Sequence, residues 1–476
     1  MECREAVPLS DIEPLMQAIA EHRVRICNLR FTDLLGQVRQ VSIETSALDP
    51  ALFSDGLVID GSGIPGWHAP TEPDPVLQPD PSSWFIDPFA AQPTLVVFCG
   101  ATEAGTGHAY DACPRSTLVR TADQVGRRLG ADRFQIGMEL GFSLFDDAQF
   151  DDESYRVGYR LSGMEAPCAA GAALAGGNSG HRPLPRRAAF AAPPSDHFSD
   201  LRSEVATILA GCGIPGVTHG HGRGACQHVL VLPPADALVA ADRLQIARYV
   251  VRSVAASYGK TATFVPKPAR DEHGVDLVLS VAAFSGARPL FHGTEYADLS
   301  PLCLSFMAGV LNHARPLAAF TNPSTNSYRR LRPGEEVPTV LAYAANNRTA
   351  AVRIPLAARP DQKRLELRFP DPLADPYLTI AAVLCAGRDG VERKLEPDDP
   401  LDRNLYDLPT EEAPLRHLPR SLDEALDELE RSRTLFTADE AFSTRMVDTY
   451  LTLKRAQADE VAAVPHPAEL RLYWSN

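Results

Sequence analysis

The sequence predicts an α+β chain of two domains, and three observations predict it. The length, 476 residues, exceeds what one ordinary hydrophobic core organises. The N-terminal part carries short alternating or apolar segments at 23–28, 36–43 and 94–99, which read as strands. Beyond residue 116 amphipathic helices intermingle with further strands, and no internal repeat points to a solenoid. Pro114-Arg115 opens the first of those helices, so the boundary falls near residue 112, giving domains 1–112 and 113–476.

The elements follow in order. Residues 1–22 read as a helix, with Ser10 or Asp11 as the cap before Leu15, Met16, Ala18 and Ile19. The strands 23–28 and 36–43 join through Asp33-Leu34-Leu35-Gly36. Residues 58–75 form a long Gly/Pro loop around Asp60, Trp67 and Glu72, poor enough in apolar residues to be mobile or functional. In the second domain 116–129 reads as a helix and 134–144 as a strand. Residues 161–189, rich in Ala, Gly and Pro, read as a flexible surface excursion with Arg186 and Arg187 solvated. Helices are expected at 201–210, 242–258 and 302–314, and strands at 218–232, 261–268, 274–282 and 348–355. An apolar helix at 378–386 is expected to stop at Gly387. Ser421 and Glu424 form a capping box before one C-terminal helix, and another covers 444–460.

Bulk composition excludes several classes. Hydrophobic content of 45% and charged content of 22% are ordinary for a soluble protein. No apolar run approaches the roughly 20 residues of a membrane span, and MECREAVPLSD lacks the apolar centre of a secretory signal. The nine cysteines include no CxxC pair, which fits reduced thiols in a cytoplasm better than a disulfide framework. A net charge of −15 argues against nucleic acid or anionic membrane as a partner. An anionic small molecule, which responds to local charge, stays open.

Residues 363–378 carry a recognisable chemical unit. Leu365 and Leu367 fall on one side of a strand and Arg364, Glu366 and Arg368 on the other, before Pro370, Pro372 and Pro376 end it. Two guanidinium groups around one carboxylate can grip an anion while the carboxylate holds a cation. Opposite charges paired on a half-solvated strand face give the same pattern with no function.

Seven motifs in order give this unit a setting. They are DGSGIPGW (60–67), IGMELGFSLFD (136–146), TFVPKP (263–268), NSYRRLRPGEEVP (326–338), NNRTAAVRIP (346–355), RLELRFPDPLADPYL (364–378) and NLYDLP (404–409). Together they resemble glutamine synthetase along nearly the whole chain. The resemblance implies an N-terminal β-grasp domain and a catalytic domain whose curved antiparallel sheet, flanked by helices, forms a funnel. It also implies a homo-oligomer of rings, a dodecamer, with each site completed by the neighbour's loop around Asp60, which puts Trp67 and the loop 58–75 at the subunit boundary. The implied reaction phosphorylates a carboxylate with ATP and lets an amine attack the acyl phosphate, with two divalent metals neutralising charge.

Residue by residue, the resemblance assigns Arg330 and Arg368 to the substrate carboxylates and Arg348, Arg353 and Arg364 to the nucleotide phosphates. Lys267 and Ser280 fall on the nucleotide side. Glu336, with Asp60, matches the residues that bind and deprotonate the amine, and Tyr406 matches a tyrosine that some bacterial members adenylylate. The metal part departs from the pattern. Glu139, Asp276 and Glu366 remain for the phosphate-side ion, an all-oxygen set suited to Mg²⁺ or Mn²⁺. The substrate-side ion is left with Gly141, His221 and Val229, which cannot hold a hard cation. Asp271 stands where a substrate-binding asparagine is expected, and Val278 at a nucleotide-side histidine.

Three readings stay open. The first is an ATP-dependent carboxylate–amine ligase, forming a γ-glutamyl or related amide rather than glutamine from ammonium. The second is an ATP-independent enzyme acting on an anionic substrate in the same fold, with His221, opposite Glu336, as acid–base catalyst. The third is a non-catalytic assembly. His219 and His221, expected on one strand face with His228 on the other, also suggest a Zn²⁺ or Fe²⁺ site completed by Glu139 or Glu366.

Overall fold

The computed structural model describes residues 9–67, 71–173, 177–407 and 415–474. Residues 1–8 of the expected first helix, 68–70 of the 58–75 loop, 174–176 of the excursion and 408–409 of NLYDLP lie outside the described residues. In the N-terminal domain β1 (Ile26–Thr32), β2 (Val38–Glu44), β3 (Leu57–Val58), β4 (Pro75–Ile86) and β5 (Thr94–Glu103) form one sheet in the order β2-β1-β5-β4-β3. The helix Leu9–Glu21 contributes Ile12 and Leu15 to its core. β4 is not legible in the sequence, because Pro75, Pro79 and Pro81 argue against an inner strand. The register breaks between Pro79 and Trp84, and this bulge absorbs residues that the ladder cannot pair.

The second domain adds β6 (Arg133–Phe145), a hairpin of β7 (Asp147–Glu153) and β8 (Arg156–Ser162), β9 (Thr218–His221), β10 (Gln227–Asp236), β11 (Thr261–Thr263), β12 (Leu277–Ser285), β13 (Arg288–Pro289), β14 (Tyr343–Ala345), β15 (Val352–Ile354) and β16 (Leu365–Leu367). The main sheet runs β14-β15-β16-β12-β6-β10-β9, with β11 beside β6 and β13 beside β12. It is antiparallel except where β14 meets β15. One face carries buried Leu140, Phe142 and Leu230 and packs on the helices Ser199–Gly211 and Ala237–Ser257. The other face is the wall of a half-barrel funnel.

Three expectations change. The helix Pro376–Glu392 runs straight through Gly387, where a Cβ would fall on the Phe306 ring of the helix Pro301–Asn312. Gly387 is therefore a close-packing residue, not a stop. The excursion at 161–189 is in part docked: Glu165, Ala169 and Ala188 are buried, while Arg186 and Arg187 are exposed as expected. Trp67, expected at a subunit boundary, is buried within its own chain between Phe31 and Tyr110.

The domains are tied by a buried ion cluster. Arg115 pairs with Asp242 at 2.8 Å and with Asp80 at 2.6 Å, and Ser83 Oγ donates to Asp242 at 2.6 Å. β5 ends at Glu103 and the helix Pro114–Leu129 follows it into the second domain.

Candidate active site

Strand pairing decides which side chains share the funnel. Glu139 and Gly141 of β6 lie opposite Val231 and Val229 of β10, and Val229 lies opposite Gly220 of β9. Directly paired residues point to one face, so these five line the funnel. Across β6, Glu139 pairs with Val278, and Ser280 pairs with both Gly137 and Glu366, which in turn meets Arg353. Gly141 N–H donates to the carbonyl of Asp276 at 2.8 Å, which extends this row past the start of β12.

The carboxylates on this wall are matched by guanidinium groups. Glu366 accepts from Arg353 at 2.6 Å and from Arg364 at 3.0 Å. Asp276 pairs with Arg330 at 2.7 Å. Glu139 is exposed to the funnel, yet the surrounding wall partly desolvates its carboxyl. This desolvation raises its carboxyl pKa above the ordinary value, Asp276 and Glu366 raise it further, and Arg368 and Arg348 oppose the shift. Arg368 Nε donates to the Arg348 carbonyl at 3.0 Å. Asp276, Glu366, Arg348 and Arg368 thus all act on Glu139.

Other expected residues stand elsewhere. Arg330, expected on a substrate carboxylate, is fully buried. Its two terminal nitrogens are held by Asp276, the Phe369 carbonyl and the Pro370 carbonyl at 2.9 Å, so it braces the wall. Lys267 is buried and paired with Glu335 at 2.5 Å and with the Glu272 carbonyl. Ser280 Oγ accepts from Gly137 N–H at 3.1 Å. Asp271 is exposed beside Arg270 at 3.7 Å. Asp60 is exposed in the N-terminal domain, where it accepts from Ser62 N–H at 2.9 Å.

Glu336 has its backbone in the left-handed region at φ 54°, a costly conformation that its surroundings must hold. Tyr406 Oη donates to the Glu336 carbonyl at 2.7 Å, and Arg223 meets the Glu336 carboxylate at 3.2 Å. Burial pushes the Tyr406 phenol up to about 12, with Arg368 and Arg223 opposing and Asp276 and Glu336 reinforcing. Tyr406 therefore stands among both the wall residues and the Arg223–Glu336 pair.

The two expected metal positions differ in fit. Glu139, Asp276 and Glu366 present only oxygen donors along one wall of the funnel, a donor set suited to Mg²⁺ or Mn²⁺. At the substrate-side position the register puts Gly220, not His221, opposite Val229. A Cβ at Gly141 would lie 2.9 Å from the Asp276 carbonyl oxygen, so that position has no room for a ligand. Gly141, Gly220 and Val229 do not fit a second ion.

The histidines form a different cluster. His221 lies directly opposite His228, so the two share the helix-packed face rather than opposing ones. Both side chains are fully buried around Glu165, with His221 Nε2 at 3.3 Å and His228 Nε2 at 3.6 Å from Oε2. Among the described residues, this is the one His/Cys/Asp/Glu group whose ligand atoms all lie within 4.8 Å of one another. The acid is Glu165, neither Glu139 nor Glu366, and His219 instead meets Ser203 at 3.4 Å. His221, expected opposite Glu336, does not face it. Arg202 Nη1 donates to His228 Nδ1 at 2.8 Å, which leaves the ring proton on Nε2, the atom a metal would need. Asp196 in turn holds Arg202 through two oxygens. The cluster is a buried charge network. Burial lowers the His221 pKa, but the Glu165 hydrogen bond and the Gly222 carbonyl outweigh it and the net shift is upward. Burial with the Arg202 and His221 charges drives His228 well down.

Sequence reasoning missed Arg223, Glu165 and the Lys267–Glu335 pair. Arg223 had a signal, an arginine isolated among small residues in GRGAC. Glu165 had none, since its partner His221 in β9 lies 56 residues away and His228 in β10 farther still.

The comparisons place this geometry in a family. The family model for the glutamine synthetase catalytic domain matches residues 111–473, and that for the glutamine synthetase β-grasp domain matches residues 23–104. The chain is 42% identical to a glutamine synthetase of Rhizobium meliloti, over 97% of this chain and 98% of that one. It is 41% identical to one of Azospirillum brasilense, over 98% and 100%. Among solved structures it resembles a Plasmodium falciparum glutamine synthetase with a TM-score of 0.88 at 25% identity, over 98% of this chain and 100% of that one. A second is apo GmaS, at a TM-score of 0.81 and 26% identity, over 97% and 99%. The chain belongs to the glutamine synthetase family of carbon–nitrogen ligases, which use ATP and divalent metal ions.

Proposed function

We propose that this chain is an ATP-dependent carboxylate–amine ligase that makes a γ-glutamyl or related amide, and not glutamine from free ammonium. One observation carries the reading: the substrate-side metal position is built from Gly141, Gly220 and Val229. The phosphate-side set Glu139, Asp276 and Glu366 would hold a single Mg²⁺ or Mn²⁺, which supplies charge neutralisation for phosphoryl transfer. Arg348, Arg353 and Arg364 orient the nucleotide phosphates, and Arg368 holds the acid. The carboxylate takes the γ-phosphoryl group and releases ADP. The amine then attacks the acyl carbon, phosphate leaves, and Glu336 with a neighbour's Asp60 receives the proton.

The test is phosphate release from purified protein with ATP and Mg²⁺ across a panel of acids and amines. Release with a particular pair but not with glutamate and ammonium is expected. Efficient glutamine formation, or no release with any pair, contradicts the reading.

A second reading has its own support. Asp276, Glu366, Glu336 and Glu335 are each already paired with Arg330, Arg353, Arg223 or Lys267. Such internal compensation would let the funnel bind an anion without ATP or metal. Calorimetric titration with ATP–Mg²⁺ separates the two readings, because this second one requires no binding.

The subunits are proposed to form rings, a dodecamer in full. Phe150, Tyr155 and Tyr159 on the β7–β8 hairpin and Leu470, Leu472 and Trp474 at the C-terminal end stand exposed, an apolar surface that a monomer would leave in water.

A further inference from the structure

We propose that Arg223 selects the incoming amine, favouring one that also carries a carboxylate over ammonium or a polycationic amine. The inference rests on the reading of Glu336 as the amine-receiving residue and adds a substrate class to it.

Arg223 is the one charged side chain of the turn 222–226, and the turn is built to be stiff. Gly222 N–H donates to the Gln227 carbonyl at 2.7 Å, and Ala188 N–H donates to the Arg223 carbonyl at 3.1 Å. Gly224 N–H donates to Gln227 Oε1 at 2.9 Å and Ala225 N–H to Glu272 Oε2 at 3.1 Å. A Cβ at Gly222 would lie 2.8 Å, and one at Gly224 2.6 Å, from the Gln227 side chain. Only glycine lets the chain fold this closely over Gln227.

The stiff turn delivers the guanidinium to a carboxylate that is itself held, at φ 54° and by the Tyr406 hydroxyl. The resulting pair is open to solvent, with the Arg223 side chain 43% and the Glu336 side chain 50% exposed. Parting such a pair costs little. Tyr406 Oη lies 2.7 Å from the Glu336 carbonyl and 3.4 Å from the Arg348 carbonyl, which also accepts from Arg368 Nε at 3.0 Å, so the pair stands beside the anion grip.

Charge then sorts the amines. A small cation that reaches Glu336 leaves Arg223 without a counter-charge, and a polyamine adds repulsion. A zwitterionic amine seated between the two satisfies both, its ammonium on Glu336 and its carboxylate across the guanidinium fork.

The test is calorimetric binding to the full-length protein without ATP, using glycine, β-alanine and glutamate against ammonium, ethylamine and putrescine. Wild type is expected to bind at least one zwitterion more tightly than every cation. Arg223→Ala is expected to weaken that zwitterion about tenfold or more while leaving ethylamine unweakened, and Arg223→Lys to restore part of the loss. A wild type that binds no zwitterion better than ethylamine, or an Arg223→Ala variant with the wild-type order of affinities, overturns the proposal. Phosphate release measured in parallel reports on the ligase reading alone, so the two can fail separately.

Discussion

At Gly141 any side chain would press on the Asp276 backbone, 2.9 Å from its carbonyl oxygen. Gly141→Glu is therefore expected to lower stability by about 1–3 kcal/mol in urea titration without adding metal affinity. Val229→Glu is the contrast, because Val229 lies on the same funnel face and is only half-buried. It is expected to fold and to tighten Mn²⁺ binding in a metal titration. The acid loss itself was legible in HGHGRGACQHVLV, which contains no Asp or Glu. The faces were not, because one residue of register moves every side chain to the other side of a strand. That is why His221, expected in the funnel, lies behind it with Glu165. The buried network carries a pH signature. His221, with its pKa raised, contributes stability that is full below the unfolded histidine value of about 6.5 and is lost as pH rises through its folded pKa. His228, with its pKa lowered, contributes the opposite limb and removes stability as pH falls from about 6.5. Urea unfolding across about pH 5–9 is expected to find a maximum between them. His221→Asn is expected to flatten the alkaline side, and an unchanged alkaline slope would contradict this account.

Glycine carries two meanings at the scale of the element, and the sequence does not distinguish them. Gly259 follows the helix Ala237–Ser257 with φ 64° and reads correctly as a stop. Gly387 lies inside Pro376–Glu392 because that helix touches Pro301–Asn312, where Gly309 and Gly390 also face each other. Local sequence cannot report a helix whose contacting residues, Phe306 and Gly309, precede Gly387 and Gly390 by many turns. Gly387→Ala is expected to destabilise by about 1–3 kcal/mol, seen as a lowered Tm in calorimetry. A change within error would show that Phe306 yields without cost. β4 was hidden for the reverse reason, since its prolines obey a local rule that the bulge between Pro79 and Trp84 locally suspends. The capping box was fully local and holds: Ser421 Oγ accepts from Glu424 N–H at 3.1 Å, although the Glu424 carboxylate reaches back to Arg420 N–H at 2.7 Å.

The whole molecule has two domains, and in the proposed function its anion grip and carboxylate wall survive while one metal position has closed. Among the described residues no helix is long and apolar enough to cross a membrane. Size-exclusion chromatography with light scattering is expected to return an assembly of many subunits, and a stable folded monomer would contradict the shared-site reading of Asp60. The division between retained and lost chemistry can be counted directly. Titration of the purified protein with Mn²⁺ in the presence of a non-hydrolysable ATP analogue, followed by electron paramagnetic resonance, reads the number of bound ions. One ion per subunit is expected, lost in Glu139→Gln and Glu366→Gln; two ions per subunit, or one that survives both substitutions, would contradict a closed second position.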